Sequence, residues 1–377
     1  MPPDVTLTTA WADVRRVLAV RVDNLGDVLM TTPALAAIRH SLPQARLTLL
    51  TSPSGAALQP HLTMVDKVIS HDVPWVKNQK APSPSEDWRL VKMLAGGRFD
   101  AAIIFTVCTQ SALPAALLCR LAGIPLRLAH SRENPYELLT DWAPETDLAM
   151  GSLRHETQRQ LDLVARVGLR PPDTRLRFAL LEADRFTLEA KLRDAGLRQG
   201  QATRYIVVHP GATAASRRWP AARFGQAAEG IAQDSGCTIV FTGSRAEQPL
   251  VAEAQAQMRR PSISMAGALS LGELGVLIAQ AQALVSNNSG PVHLAAALGT
   301  PVVDLYALTN PQHTPWQVPA RVLNRDVPCR NCLKSCCPQG HHECLLGVPA
   351  TDVTGATVQL LQQTGRLASP SPSGATA

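Results

Sequence analysis

The sequence predicts an α/β protein built from two doubly wound domains with parallel sheets. Three observations carry that reading. Short apolar runs alternate with helical runs across residues 16–122, the pattern pauses in a charged stretch with a Gly/Gln-rich connector at Glu182–Thr203, and it restarts at Tyr205. Alternation of this kind gives a parallel sheet covered by helices on both faces. The expected division is 1–195 for the first domain, 203–350 for the second, and 351–377 for a terminal helix and a disordered tail.

The elements follow in order. Arg16–Val22 reads as a strand, Asp27–Ser41 as a helix with apolar residues at helical spacing, and Ala45–Leu50 as a strand. Ala101–Phe105 is a further buried strand, followed by an Ala/Leu helix over Ala112–Ala122. Lys77–Ser85, rich in Pro and Ser, reads as a mobile loop. In the second half, strands are expected at Tyr205–His209, Thr238–Thr242, Ser262–Met265, Ala283–Ser286 and Val302–Tyr306. Pro220 opens a helix over Ala221–Ala232, and the tail from Ser369 is low in complexity.

Composition narrows the function classes. At 377 residues, 45% hydrophobic and 18% charged, the chain can build two ordinary cores. Its net charge of +6 is mild and suits acidic small ligands as well as an anionic surface. Only 4% of residues are aromatic, and none interleave with a basic run, which argues against a stacking platform for nucleic acid. No stretch reaches the roughly 18 apolar residues of a spanning helix. Asp4 and Asp13 precede the first apolar run, which itself contains Arg21, so no signal peptide is expected and the location reads as cytoplasmic. Cys108, Cys119 and Cys237 lie in apolar surroundings, as core residues do.

Three turns carry chemistry. Ligands of doubly wound sheets sit beyond the carboxyl ends of the strands, here an inter-domain cleft. The stretch Ala283–Pro301 (ALVSNNSGPVHLAAALGTP) runs from a strand through small polar residues into a helix start at Pro291, with His293 in its first turn. Free N–H groups and the helix dipole make such a start an anion site, although an ordinary strand–helix connection has the same pattern. After Tyr205–His209, the loop Pro210–Pro220 places hydroxyls and the guanidiniums of Arg217 and Arg218 beside another helix start, a sensible arrangement for a diphosphate and also for a solvated basic turn. After the first strand, Asp23 and Asp27 stand at a helix start, where Asp27 is either a general base or a cap. No GxSxG elbow, Walker lysine loop or GxGxxG turn is present.

With these residues in view, Val20–Leu35 (VRVDNLGDVLMTTPAL), His209–Pro220 (HPGATAASRRWP), Phe241–Glu247 (FTGSRAE) and Asn287–Pro301 (NNSGPVHLAAALGTP) resemble glycosyltransferase family 9, which contains the ADP-heptose:lipopolysaccharide heptosyltransferases. The resemblance implies a GT-B fold and inverting transfer of heptose from ADP-heptose to a lipopolysaccharide core, with no metal needed for catalysis. Asp27 matches the aspartate implied to be the general base. Thr213, Ser216 and Arg217 match the loop that holds the donor diphosphate, with Arg217 where the pattern usually has lysine. Glu247 corresponds to an acidic residue implied at the ribose, and Ser289, Gly290 and His293 match the second phosphate-facing helix start. Asn288 departs from the usual Asp-Ser-Gly or Asp-Thr-Gly and loses a negative charge, which bears on the donor sugar.

The implied partners are a nucleotide sugar and an anionic, lipid-linked saccharide, the latter placing the chain peripherally at the cytoplasmic face of the inner membrane. Arg21, Arg39, Lys77, Lys80, Arg127 and Arg132 are the basic residues available to such an acceptor, with Lys77–Ser85 as a clamp. Competing readings are another nucleotide-sugar donor or a non-lipopolysaccharide acceptor on the same fold, a binding protein without turnover, and a zinc-ribbon nucleic-acid binder. The last rests on Cys329–Leu345 (CRNCLKSCCPQGHHECL), which resembles a tail in part of the family; Cys329, Cys332, Cys336 and Cys344 offer ligands for a structural zinc, with free thiols as the alternative.

Overall fold

The computed structural model describes residues 7–76, 83–147, 153–197 and 204–367. They form two compact units, Met1–Ala179 and Leu180–Ala377. In the first, strands β1 (Arg16–Arg21), β2 (Arg46–Thr51), β3 (Lys67–Ser70), β4 (Ala101–Ile104), β5 (Leu126–Ser131) and β6 (Asp141–Pro144) form one parallel sheet ordered β3-β2-β1-β4-β5-β6. Apart from Arg16 and Arg46, every residue of β1 and β2 is buried, as expected of strands covered on both faces.

The chain winds from β1 out to β3, then crosses back to β4. Right-handed crossovers therefore place α2 (Pro84–Gly97) and α3 (Leu113–Leu121) together on one face, where Leu90, Val91, Leu94, Ala115, Ala116 and Leu118 share one core. On the other face, α1 (Leu25–Ser41) packs against α4 (Glu156–Ala165). Pro33 lies inside α1 and cannot donate to the carbonyl of Leu29; the Thr32 hydroxyl donates to that carbonyl instead, at 2.6 Å. The helix thus survives an interior proline.

The second unit repeats the plan. Strands β7 (Tyr205–His209), β8 (Thr238–Phe241), β9 (Ser262–Ser264), β10 (Leu284–Asn287), β11 (Val302–Leu305) and β12 (Ala320–Leu323) are ordered β12-β11-β10-β7-β8-β9, again parallel. Its boundary corrects the expected one near residue 195. The charged helix α5 (Glu182–Asp194) belongs to this unit, because Lys191 Nζ reaches Glu273 Oε2 and the Ala268 carbonyl, both at 2.7 Å. Glu273 lies on α8 (Leu271–Gln280), which packs along α5. Helix α10 (Ala350–Gln363) is likewise part of this unit: Val353, Leu360 and Leu361 enter its core with Phe224, Ala228 and Ile231 of α6 (Ala221–Ser235) and Val251 and Ala254 of α7 (Gln248–Gln255).

The loop expected over Lys77–Ser85 is corrected at its end, where helix α2 already runs. Residues 77–82 lie outside the described residues, as does the tail from Ser369, whereas Ser83 caps α2 and Pro84 opens it, with Glu86 completing a capping box.

Candidate active site

In both sheets strand order reverses beside the first strand of the unit, between β1 and β4 and between β7 and β10. The loops leaving those strands are where a doubly wound sheet binds ligands. All the turns singled out in the sequence are found there or beside it.

In the first unit, Arg21 ends β1 and is fully buried. Its Nε lies 3.1 Å from Asp23 Oδ2, its Nη2 3.3 Å from Asp27 Oδ1, and its Nη1 2.9 Å from Glu156 Oε1. One guanidinium therefore serves three carboxyls. Asp27 also accepts the Asn24 N–H at 3.1 Å, so it is the carboxylate half of a capping box on α1. It keeps the most exposed side chain of the three, at 13% against 8% for Asp23 and 0% for Glu156. Gln110, in the loop after β4, donates to Asp23 Oδ1 at 2.6 Å, and Gln160 donates to Glu156 Oε1 at 2.5 Å.

Charge and burial compete inside this cluster. Burial works against the Arg21 charge, but Asp23, Glu156 and Asp27 outweigh it and hold the guanidinium above its ordinary value. Burial pushes the Asp23 carboxyl up to about 6 against the pull of Arg21, and the charge of Asp27 adds to the rise.

Three basic residues expected to face an acceptor are engaged elsewhere. Arg21 is enclosed as described; Arg39 is tied to Asp66 and to the carbonyls of Met64 and Ala45. Arg127 is buried and donates to the carbonyls of Ile124, Pro125, Glu137 and Leu138. Lys77 and Lys80 lie outside the described residues, and Arg132 is exposed.

In the second unit, Asn287 closes β10 and knots the loop after β7. Its Nδ2 donates to the Pro210 carbonyl at 2.7 Å and its Oδ1 accepts the Trp219 N–H at 2.9 Å, so both ends of the Pro210–Trp219 loop hang on one buried amide. The two neighbouring arginines divide their roles. Arg218 donates to the Ala212 and Thr213 carbonyls at 2.6 and 3.3 Å and holds the loop, whereas the Arg217 guanidinium has no hydrogen bond or ion pair among the described residues. Thr213 is exposed. Ser216, expected on the donor phosphate, is instead buried, its hydroxyl donating to the Lys334 carbonyl at 3.1 Å.

Glu247 comes up against the same loop. A Cβ on Gly211 would lie 2.1 Å from Glu247 Oε1, so glycine is what lets this carboxylate approach. Burial pushes Glu247 up, but the Ser244 N–H, His209 and Arg218 overcome that and hold it below the usual carboxylate range. Helix α9 (Gly290–Leu298) opens without a side-chain cap, because the Ser289 hydroxyl donates back to the Asn287 carbonyl at 3.1 Å. Pro291 has no N–H and the Val292 N–H returns to the Ser289 carbonyl at 3.0 Å, so what this helix start offers an anion is chiefly its partial positive charge. His293 in that turn is buried, with its ring edge-on to His313 at 6.4 Å between centroids.

Asn288 is nine-tenths buried, and its Nδ2 donates to Asp304 Oδ2 at 2.9 Å and to the His313 carbonyl at 2.8 Å. Burial raises the Asp304 carboxyl to about 8, although Asn288 and the Arg217 charge pull it down. Sequence reasoning missed Asn287, Asp304, Gln110 and Glu156. Only Asn287 had a local signal, since it ends a strand that feeds the phosphate-facing turn.

The Cys-rich segment packs on this region. Ser216 N–H donates to the Ser335 carbonyl at 3.2 Å, and the Asn331 and Leu333 N–H groups donate to the Leu308 and Thr309 carbonyls at 2.7 and 2.8 Å. Of the four cysteines expected together, Cys336 is exposed. Burial raises the Cys344 thiol, and nearby Cys337, Cys329 and Cys332 add to the rise. Among the described residues no three His, Cys, Asp or Glu side chains are gathered as a metal ion requires. Cys329 Sγ instead lies 3.5 Å from His341 Nε2.

The model of glycosyltransferase family 9 (heptosyltransferase) matches residues 87–343, about two-thirds of the chain. Lipopolysaccharide heptosyltransferase 1 of Pseudomonas aeruginosa is 27% identical over 331 residues, spanning 85% of this chain and 87% of that protein. Lipopolysaccharide heptosyltransferase 2 of Salmonella typhimurium is 25% identical over 357 residues, spanning 93% and 99%. Among solved structures, a family 9 glycosyltransferase from Veillonella parvula superposes with a TM-score of 0.76 at 23% identity, over 93% of this chain and 98% of that one. The ADP-heptose lps heptosyltransferase II of E. coli gives 0.72 at 22% identity, over 93% and 99%. With its two doubly wound sheets and its motifs in place, this chain belongs to glycosyltransferase family 9 and is a glycosyltransferase of GT-B fold.

Proposed function

We propose that the chain transfers heptose from ADP-heptose to a lipopolysaccharide core acceptor. The observation that carries this reading is the presence, in one unit, of an uncapped helix start at α9, the Arg217 guanidinium with no hydrogen bond or ion pair among the described residues, and the Glu247 carboxylate beside Gly211. Diphosphate suits the first two, and a ribose diol suits the third. Asp27 takes the proton of the acceptor hydroxyl as its oxygen bonds to the anomeric carbon. The bond from that carbon to the diphosphate breaks, and ADP leaves with its new charge on Arg217 and the α9 N-terminus. The named relatives are heptosyltransferases, which supports heptose as the sugar.

Calorimetry with ADP-, UDP-, GDP- and CMP-sugars tests the donor, and the expected outcome is selective binding of the ADP-sugar. Arg217→Ala is expected to weaken ADP binding by about 1.5–3 kcal/mol, the loss of a charge-assisted hydrogen bond. Equal ADP affinity in both proteins would remove Arg217 from the site.

The lipid-linked acceptor calls for peripheral contact with a membrane. Among the described residues no helix is long and apolar enough to cross one. In the first unit, Trp88 and Met93 of α2, Leu117 and Leu121 of α3, and Tyr136 after β5 are exposed, on the side of the sheet that carries both helices. Arg89, Lys92 and Arg120 are exposed on the same helices. Apolar side chains set among basic ones suit an anionic bilayer surface. Flotation with phosphatidylglycerol vesicles is expected to carry the protein, and a Trp88→Ser/Leu121→Ser variant much less of it. Equal recovery of the two would place membrane contact elsewhere.

A further inference from the structure

We propose that Asp304 is a positioning residue for donor recognition, holding the Asn288 amide so that its carbonyl oxygen is the atom offered to the sugar of the bound donor. The inference rests on the donor reading above and names an atom within it.

An asparagine side chain has two N–H donors and one acceptor oxygen. Both N–H groups of Asn288 are engaged, one by Asp304 Oδ2 at 2.9 Å and one by the His313 carbonyl at 2.8 Å. The amide is thereby fixed in one of its two flip states. Its Oδ1 has no partner among the described residues, and it is not sealed from solvent. Asn288 stands between the end of β10 and the uncapped start of α9, with its backbone N–H donating to the Leu305 carbonyl at 3.1 Å. The oxygen left over is therefore at the edge of the diphosphate site, where the group attached to that diphosphate must lie.

Asp304 has no other evident reason to be where it is. It sits within β11 at 0% exposure, in register with Ser286 of β10, and its Oδ1 has no hydrogen-bond partner among the described residues. A carboxyl placed in a strand interior with one hydrogen bond is costly unless that bond matters. The groups facing it are the Asn288 amide, the Arg217 guanidinium, felt through its charge, and Tyr306. The arrangement moves the acidic group one residue layer behind the ligand and presents a neutral acceptor in front, which a sugar hydroxyl can meet by donating.

The test separates the sugar from the nucleotide. ADP lacks the group that Asn288 meets, so Asp304→Ala is expected to leave the Kd of ADP unchanged while raising the KM for ADP-heptose about tenfold, as loss of one well-placed hydrogen bond does. Asp304→Asn, which keeps shape and an acceptor oxygen, is expected to stay within about threefold of wild type. Asn288→Asp alone sets two carboxyls at hydrogen-bond distance and should weaken ADP-heptose binding progressively as pH rises and the shared proton is lost. Combining it with Asp304→Asn restores a donor–acceptor pair between the two side chains and should lessen that pH dependence, the remainder coming from the carboxyl that still faces the His313 carbonyl.

An Asp304→Ala protein that loses ADP and ADP-heptose in equal measure, or neither, overturns the inference. So does an Asn288→Asp defect that Asp304→Asn fails to relieve. Failure of wild type to bind ADP or ADP-heptose at all would instead strike the donor reading itself.

Discussion

Asp27→Asn is expected to lower turnover of ADP-heptose by about 10²–10⁴, the usual worth of a general base, while leaving ADP affinity and melting temperature nearly unchanged. The geometry makes the substitution a mild one, although Asp27 uses both oxygens, Oδ2 for the Asn24 N–H and Oδ1 toward Arg21, and the amide has only one to offer. Asn keeps an oxygen that can accept the Asn24 N–H, so the capping box on α1 persists. Arg21 keeps Asp23 and Glu156 as partners, and neutralising one of three carboxyls around a single guanidinium relieves repulsion. The nucleotide contacts proposed above all come from the second unit, so they are untouched. Loss of the Asp27 charge should also let Asp23 titrate lower than about 6, since that charge is one of the causes holding it up. Single-turnover rates, ADP isotherms and thermal melts on the two proteins decide the matter. A variant that loses several degrees and little activity would make Asp27 a cap and nothing more.

What the sequence disclosed, and what it hid, follows from how each feature is encoded. The central strands were legible because burial on both faces demands unbroken apolar runs: Tyr205–His209 matches to the residue, and β1, β4, β10 and β11 to within one at either end. Strands β3, β5, β6 and β12 were not. Lys67–Ser70 and Ala320–Leu323 are four-residue edge strands with exposed positions, Asp141–Pro144 ends in a proline that only an edge tolerates, and Leu126–Ser131 carries Arg127 and His130. The Gly-Asp and Ser-Gly-Pro turns stood out because a helix start needs local chemistry. Partners recruited by topology left no local trace: Glu156 lies 135 residues from Arg21, and Asp304 lies 16 from Asn288 on the next strand. The engagement of Ser216 by the carbonyls of Lys334 and Ser335, more than a hundred residues on, has the same origin.

Arg21→Met should be the most damaging single change in the first unit. Methionine fills much of the volume, yet it leaves Asp23, Asp27 and Glu156 facing one another without a cation, two of them almost wholly buried. Removing one partner from a buried ionic cluster typically costs about 3–5 kcal/mol, which for a unit of this size is a fall in melting temperature of about 10 °C. The defect should depend on pH in a definite direction. In wild type, burial already raises Asp23 to about 6, so between pH values of about 4 and 6 the folded chain holds a proton that the unfolded chain releases. That group's contribution to stability therefore falls as pH rises through the window. Without Arg21, the attraction that opposes burial at Asp23 is gone, that carboxyl is pushed further up, and the window widens toward neutral pH. The variant should lie closer to wild type at pH 5 than at pH 8 in thermal melts that follow the first unit. Adding Glu156→Gln should recover part of the loss at pH 8, because it neutralises the most deeply buried carboxyl while keeping an oxygen for Gln160. A deficit of equal size at every pH, with no recovery in the double variant, would mean that Arg21 supports this unit by packing and not by charge.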